Sequence, residues 1–118
     1  MEFAGNKEIE LCGVKYGLQP DFEALSSIEL LGRPIIDMLV AFSNGGYQYT
    51  DVVVIIYCCM RSYAGKEFKL SRYDVGELVR AEGLSNVSEI ACEMISNILS
   101  GDEEEKKRVA KKILEKTQ

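Results

Sequence analysis
Apolar and polar positions along this chain change period several times, and each change marks an element. From Glu8 to Leu11 polar and apolar residues alternate, Cys12-Gly13 interrupts, and Val14 to Leu18 alternates again. Two short period-2 runs around a glycine-containing break predict a β-hairpin. Ile9 and Leu11 share one face of the first strand, and Val14, Tyr16 and Leu18 one face of the second. A lone two-stranded hairpin is marginal in water, so it needs a helical body to pack against.

The period then lengthens. Pro20 ends the strand, and Asp21 caps a helix whose stripe is Phe22, Leu25, Ile28 and Leu31, stopped by Gly32. Pro34 suits a first helical position, where its missing N–H costs nothing. Ile35, Ile36, Met38, Leu39 and Phe42 give the apolar side of a second helix, which Ser43-Asn44-Gly45-Gly46 breaks. Further on, Ser71 caps a helix from Arg72 to Glu82 with Tyr73, Leu78, Val79 and Ala81 as apolar positions and Gly83 as its stop. Ser85 caps the clearest amphipathic helix: Val87, Ile90, Ala91, Met94, Ile95, Ile98 and Leu99, closed by Gly101.

Between these lies the stretch Thr50 to Ala64, apolar on nearly every side, which places it in the middle of the fold. Val52 to Ile56 is a β-branched run that also suits a buried strand, so length and flanks decide. Thr50 is a fitting N-cap, Asp51 and Arg61 match the helix dipole at the two ends, and Gly65 stands at the C-terminal stop. Roughly four helical turns fit between those signals. The expectation is therefore a buried central helix, followed by a polar loop from Lys66 to Leu70. The fold class is α+β, mainly α: an N-terminal hairpin packed on about five to six short helices around that central one.

Residues 1–101 form the expected globular body. Residues 102–118 are a charged C-terminal helix or tail, acidic first and basic later, with Glu103/Lys107 and Glu104/Arg108 as i,i+4 pairs. Its apolar content is thin, mainly Val109, Ile113 and Leu114, which fits a solvated or lightly docked helix and also a partner-binding segment.

Composition changes the picture mainly by exclusion. At 118 residues, 47% hydrophobic and 28% charged, the chain has ordinary globular composition. A net charge of −5 and an isoelectric point near 4.8 argue against a phosphate-backbone binder, so no nucleic-acid partner is expected. No apolar run reaches the roughly 18 residues of a membrane span and no secretory leader pattern is present, so a cytoplasmic protein without a membrane partner is expected. Cys12, Cys58, Cys59 and Cys92 form no CxxC pair, and reduced, buried thiols are the plain reading.

The chain contains no histidine, which removes Ser/His and Cys/His nucleophile pairs and every His-containing metal site. Gly65-Lys66 lacks the phosphate-loop glycine five residues before it and the Ser or Thr after it, since Met60 and Glu67 stand there. The carboxylate pairs (Glu8/Glu10, Glu89/Glu93 and the run Asp102 to Glu105) read as strand surface, helix surface and a dipole-matched first turn. The acidic run also lacks the alternating ligands and turn glycine of a calcium loop. No catalytic residue, cofactor site or metal site is expected. Aromatic residues remain: Tyr47, Tyr49, Tyr57, Tyr63, Phe68 and Tyr73 gather around the central helix and its entry and exit loops. They cover the edge of the core or anchor a partner. For a partner-binding surface the candidates are Tyr47, Tyr49, Tyr63 and Phe68.

The order of pieces resembles a known family. Glu8-Ile9-Glu10-Leu11, Phe22-Glu23-Ala24-Leu25, Leu31-Gly32, the stretch Thr50 to Met60 and the helix pair from Tyr73 to Leu99 together resemble the small phage-type tail proteins of gene transfer agents, grouped with tail assembly chaperones. The likeness covers about residues 6–100 and consists of patterned positions. It implies a non-enzymatic assembly factor of a siphophage-like tail, acting in the bacterial cytoplasm on the tape-measure protein or other tail proteins. The alternatives it leaves are a structural tail tube component and a helical interaction or regulatory domain. A homo-oligomer is compatible with all three.

Overall fold
The computed structural model describes residues 5–101 and 103–117. Strands β1 (Lys7–Leu11) and β2 (Val14–Leu18) form an antiparallel hairpin in which Ile9 faces Tyr16 and Leu11 faces Val14. Cys12 and Gly13 turn the chain with positive φ values of 53° and 84°. Six helices follow: α1 (Phe22–Leu31), α2 (Ile35–Asn44), α3 (Tyr49–Ala64), α4 (Arg72–Glu82), α5 (Leu84–Leu99) and α6 (Glu103–Lys116). The protein is mainly α with a small β part.

The apolar stretch in the middle of the chain is a helix, and the fold is built on it. In α3, every residue from Asp51 to Ile56 is buried, as are Cys58, Cys59 and Met60. Hairpin strand β2 and helices α1, α4 and α5 all pack against α3. A helix surrounded on most sides needs no polar face, which is why a β-branched run is tolerated here despite its weak helix propensity. The start differs from expectation. Gln48, not Thr50, is the N-cap, with its carbonyl accepting from the Asp51 N–H at 3.0 Å and the Asp51 carboxylate accepting from the Gln48 N–H at 2.9 Å. That reciprocal pair satisfies two first-turn amides and places Thr50 inside the helix on its exposed side.

Polar ties fix the layers. The Gln19 N–H donates to the Cys59 carbonyl at 3.0 Å, joining the end of β2 to the middle of α3. Asp21 accepts from the Ala24 N–H (2.9 Å), Gln19 Nε2 (2.8 Å) and Ser62 Oγ (2.6 Å), so one carboxylate caps α1 and holds it to α3. Arg61 donates to Ser27 Oγ at 2.9 Å on the same seam and lies over the Tyr57 ring.

Several outward-facing residues were expected inside. In α1 the buried pair is Ala24 and Ile28, with Leu25 half-buried, while Phe22 is 78% exposed and Leu31 lies at the surface. Steps of three residues drift by about 60° each around a helix, so Phe22, Leu25, Ile28 and Leu31 cannot all face inward. In α2 the inward residues are Ile35, Met38 and Ala41, with Ile36 exposed. In α4 they are Val75 and Val79, an i,i+4 pair, while Ala81 is exposed and Tyr73 is 88% exposed. Val14 is exposed beside the hairpin turn. In α5 the expected stripe holds as far as Ile98, with Val87, Ala91, Met94 and Ile95 buried and Ile90 and Ile98 half-buried, while Leu99 in the last turn is exposed. The helix begins at Leu84 directly after Gly83, so Ser85 lies within it rather than capping it. The expected loop after Gly65 contains a short 3-10 turn, Gly65–Glu67. Helix α6 is formed, and none of its described residues is buried.

Candidate functional site
At the N-terminal end of α3 the helices diverge and leave an open groove of about 720 Å³. Its floor is α3, through Tyr49, Thr50, Val53 and Val54. One wall is the end of α1 with Leu31, Gly32 and Arg33, and the other is α4 with Arg72, Tyr73, Gly76, Glu77 and Arg80. The volume lies within the usual range for ligand-sized clefts, and most of the surface exposed in it is apolar, although charged and polar residues share the lining.

The groove owes its shape to local sequence. Gly32 stops α1, and a Cβ there would press on the Met38 methyl and the Ile28 carbonyl, so the chain turns sharply towards Arg33 and Pro34. Gly76 keeps the α4 wall low: the Tyr49 hydroxyl donates to its carbonyl at 3.0 Å and bridges α3 to α4. Burial against this seam raises the Tyr49 phenol above its ordinary range, with Arg80 opposing and Glu77 adding to the effect.

Two ion pairs flank the groove. Arg33 grips Asp51 with two hydrogen bonds, Nε to Oδ1 at 3.0 Å and the terminal nitrogen to Oδ2 at 2.6 Å. Asp51 is only 4% exposed, so a forked guanidinium together with the Gln48 N–H satisfies a carboxylate taken almost wholly out of water. The hydrogen bond to Asp51 raises the Arg33 pKa, burial opposes this, and the charges of Asp51 and Asp37 add to it. Across the groove Arg80 pairs with Glu77 at 2.8 Å along α4. The lining thus carries three arginines against two acids around an apolar centre.

The aromatic residues singled out from the sequence do not converge on one place. Tyr49 lines the groove. Tyr47 is half-buried and stacked on Phe42, ring centres 4.6 Å apart. Phe68 is half-buried and meets Tyr57 edge-on at 5.6 Å. Tyr63, half-exposed, lays its ring against the backbone of Gly17 on the hairpin. Tyr73, Leu31, Arg33, Arg72 and Arg80 also line the groove, and none of them is among the surface candidates read from the sequence. The signal for Tyr73 was present: its position two residues before Val75 places it opposite the Val75/Val79 stripe.

Among the described residues, no three Cys, Asp or Glu side chains are grouped so as to hold a metal ion, and no helix is long and apolar enough to cross a membrane. Cys58 and Cys59 are buried in α3, and burial pushes the Cys58 thiol up to about 11 and the Cys59 thiol higher still. Such thiols are poor nucleophiles at neutral pH. No family model, curated protein or solved structure matches this chain.

Proposed function
We propose that this chain is a non-catalytic docking module of the tail-assembly-chaperone kind, which receives an amphipathic helix of a tape-measure-type protein in the groove at the head of α3. The observation that carries the reading is the groove itself. Tyr49, Val53, Val54, Leu31 and Tyr73 offer an apolar bed, and Arg33, Arg72 and Arg80 against Asp51 and Glu77 leave its rim with an excess of one arginine. A helix laid in a groove is read through anchors one turn apart, and the excess of arginine favours acidic flanks on the guest. The resemblance of residues 6–100 to tail assembly chaperones supplies the identity of the guest, a long helical tape-measure protein held soluble until tube subunits enclose it.

The test is co-expression with tape-measure segments carrying an affinity tag. Stoichiometric capture that is lost in Tyr73→Glu and Leu31→Glu, with unchanged thermal stability of both variants, supports the reading. Capture that is indifferent to both substitutions overturns the assignment of the groove. Retention of the protein in finished particles favours the structural-component reading instead.

A further inference from the structure
The exterior is apolar in two further places, and their charges are opposite. The first is the outward side of α1 and α2, where Phe22 is 78% and Leu30 84% exposed and Ile36 and Val40 are more than half exposed. Acidic residues Glu23, Glu29 and Asp37 stand among them, and neither helix contains a single Lys or Arg. The second is α6, whose Val109, Ile113 and Leu114 are all exposed and lie on one side of the helix. Helical spacing puts Lys107 and Lys111 along one border of that stripe and Lys112 and Lys116 along the other. Residues 106–118 carry six Lys and Arg against one acid, whereas residues 1–101 carry eight against fourteen acids.

We propose that α6 of one copy docks across the α1–α2 face of a second copy, and that two copies exchange these helices about a two-fold axis. The two surfaces match in kind: a basic-bordered apolar stripe on one and an acidic-bordered apolar strip on the other. Within one chain α6 leaves its stripe uncovered, because none of its described residues is buried. Three large side chains make a small contact, and reciprocal exchange doubles it, as a closed two-fold interface requires. None of Phe22, Leu30, Ile36 and Val40 lines the groove at the head of α3, so this inference stands whether or not the groove receives a tape-measure helix.

Sedimentation of the full chain over a range of concentrations, at low and high salt, tests it. The expected result is a monomer–dimer equilibrium whose Kd weakens roughly tenfold or more between 50 and 500 mM salt, as charge steering is screened. Ile113→Glu and Leu30→Glu each abolish the dimer without lowering the melting temperature of the monomer. Mixing the two variants restores one of the two contacts, so the mixture associates more weakly than the native dimer and more strongly than either variant alone. A monomer at every concentration overturns the proposal. A dimer broken by Ile113→Glu and untouched by Leu30→Glu also overturns it, by showing α6 paired with α6. So does a monomer destabilised by Ile113→Glu, which places α6 on its own body, and so does a monomer that binds anionic vesicles through α6.

Discussion

Replacing Gly17 by alanine should destabilise the protein, yet stabilise it once Tyr63 is gone. Gly17 lies in β2, and a methyl group added there overlaps the Tyr63 ring that covers it. A tyrosine buries roughly 150–250 Å² when fully covered, and Tyr63 is 49% exposed, so about 100 Å² of it is sheltered. At about 25 cal/mol per Å² that shelter contributes at most ~2.5 kcal/mol. Gly17→Ala drives the ring off and loses most of this, but regains ~0.5–1 kcal/mol of backbone entropy, for a net loss of about 1–1.5 kcal/mol. Tyr63→Ala alone loses about 2 kcal/mol. In the Tyr63→Ala background nothing remains for the methyl to displace, so Gly17→Ala raises stability by ~0.5–1 kcal/mol. Urea unfolding followed by circular dichroism, applied to all four proteins, measures a coupling of about 2 kcal/mol. Equal destabilisation by Gly17→Ala in both backgrounds would refute the packing of Tyr63 on the hairpin.

Three other expectations follow from the same architecture. Ile56→Ala, at the fully buried centre of α3, should cost about 2–5 kcal/mol by urea unfolding, whereas Tyr73→Ala on the exterior should change stability by less than about 0.5 kcal/mol. Gly76→Ala should stabilise by ~0.5–1 kcal/mol in thermal melts, because it is a helix-interior glycine whose added methyl would sit at an ordinary 3.8 Å from Val53. Finally, burial raises the Cys58 thiol from 9.0 to about 11. An unfolded chain then releases this proton first as the pH rises, so stability is intact below pH ~9 and falls between ~9 and ~11, with this thiol contributing on the order of 3 kcal/mol. Cys58→Ala should remove this thiol's share of the fall in chemical denaturation series, while the Cys59 thiol, raised higher still, keeps its own share; an unchanged slope would show that the Cys58 thiol does not contribute.

How much of this was legible in the sequence depended on how local its cause was. The α5 stripe from Val87 to Ile98 follows strict i, i+3, i+4 spacing and is packed as read. The hairpin turn at Cys12-Gly13 and the stop at Gly45, with φ of 78°, also lie within a few residues of their signals. The flanks of Val52 to Met60 favour a helix over its β-branched content, and the helix forms with Gln48 in place of Thr50 as its cap. The cap was Gln48 because Asp51 answers it three residues on, a reciprocity that a search for Ser, Thr, Asp or Asn alone overlooks.

The groove was less legible because its parts come from three helices. Asp51 was visible only as a first-turn acid, since its partner Arg33 lies 18 residues away in the turn before Pro34. The aromatics were visible as a cluster in sequence, but the structure sends Tyr47 to Phe42, Phe68 to Tyr57 and Tyr63 to Gly17, leaving Tyr49 at the groove. Neighbours along the chain share a region only when the elements carrying them turn the same way, and the drift of the α1 stripe shows how quickly that fails over ten residues.

Hydrogen exchange of the protein with and without a bound tape-measure helix tests the central claim most directly. The account predicts new protection at the end of α1, across the first two turns of α3 and along α4 from Arg72 to Arg80, with α2 and β1 unchanged. Protection centred on any other face, with the head of α3 exchanging as it does in the free protein, would contradict it.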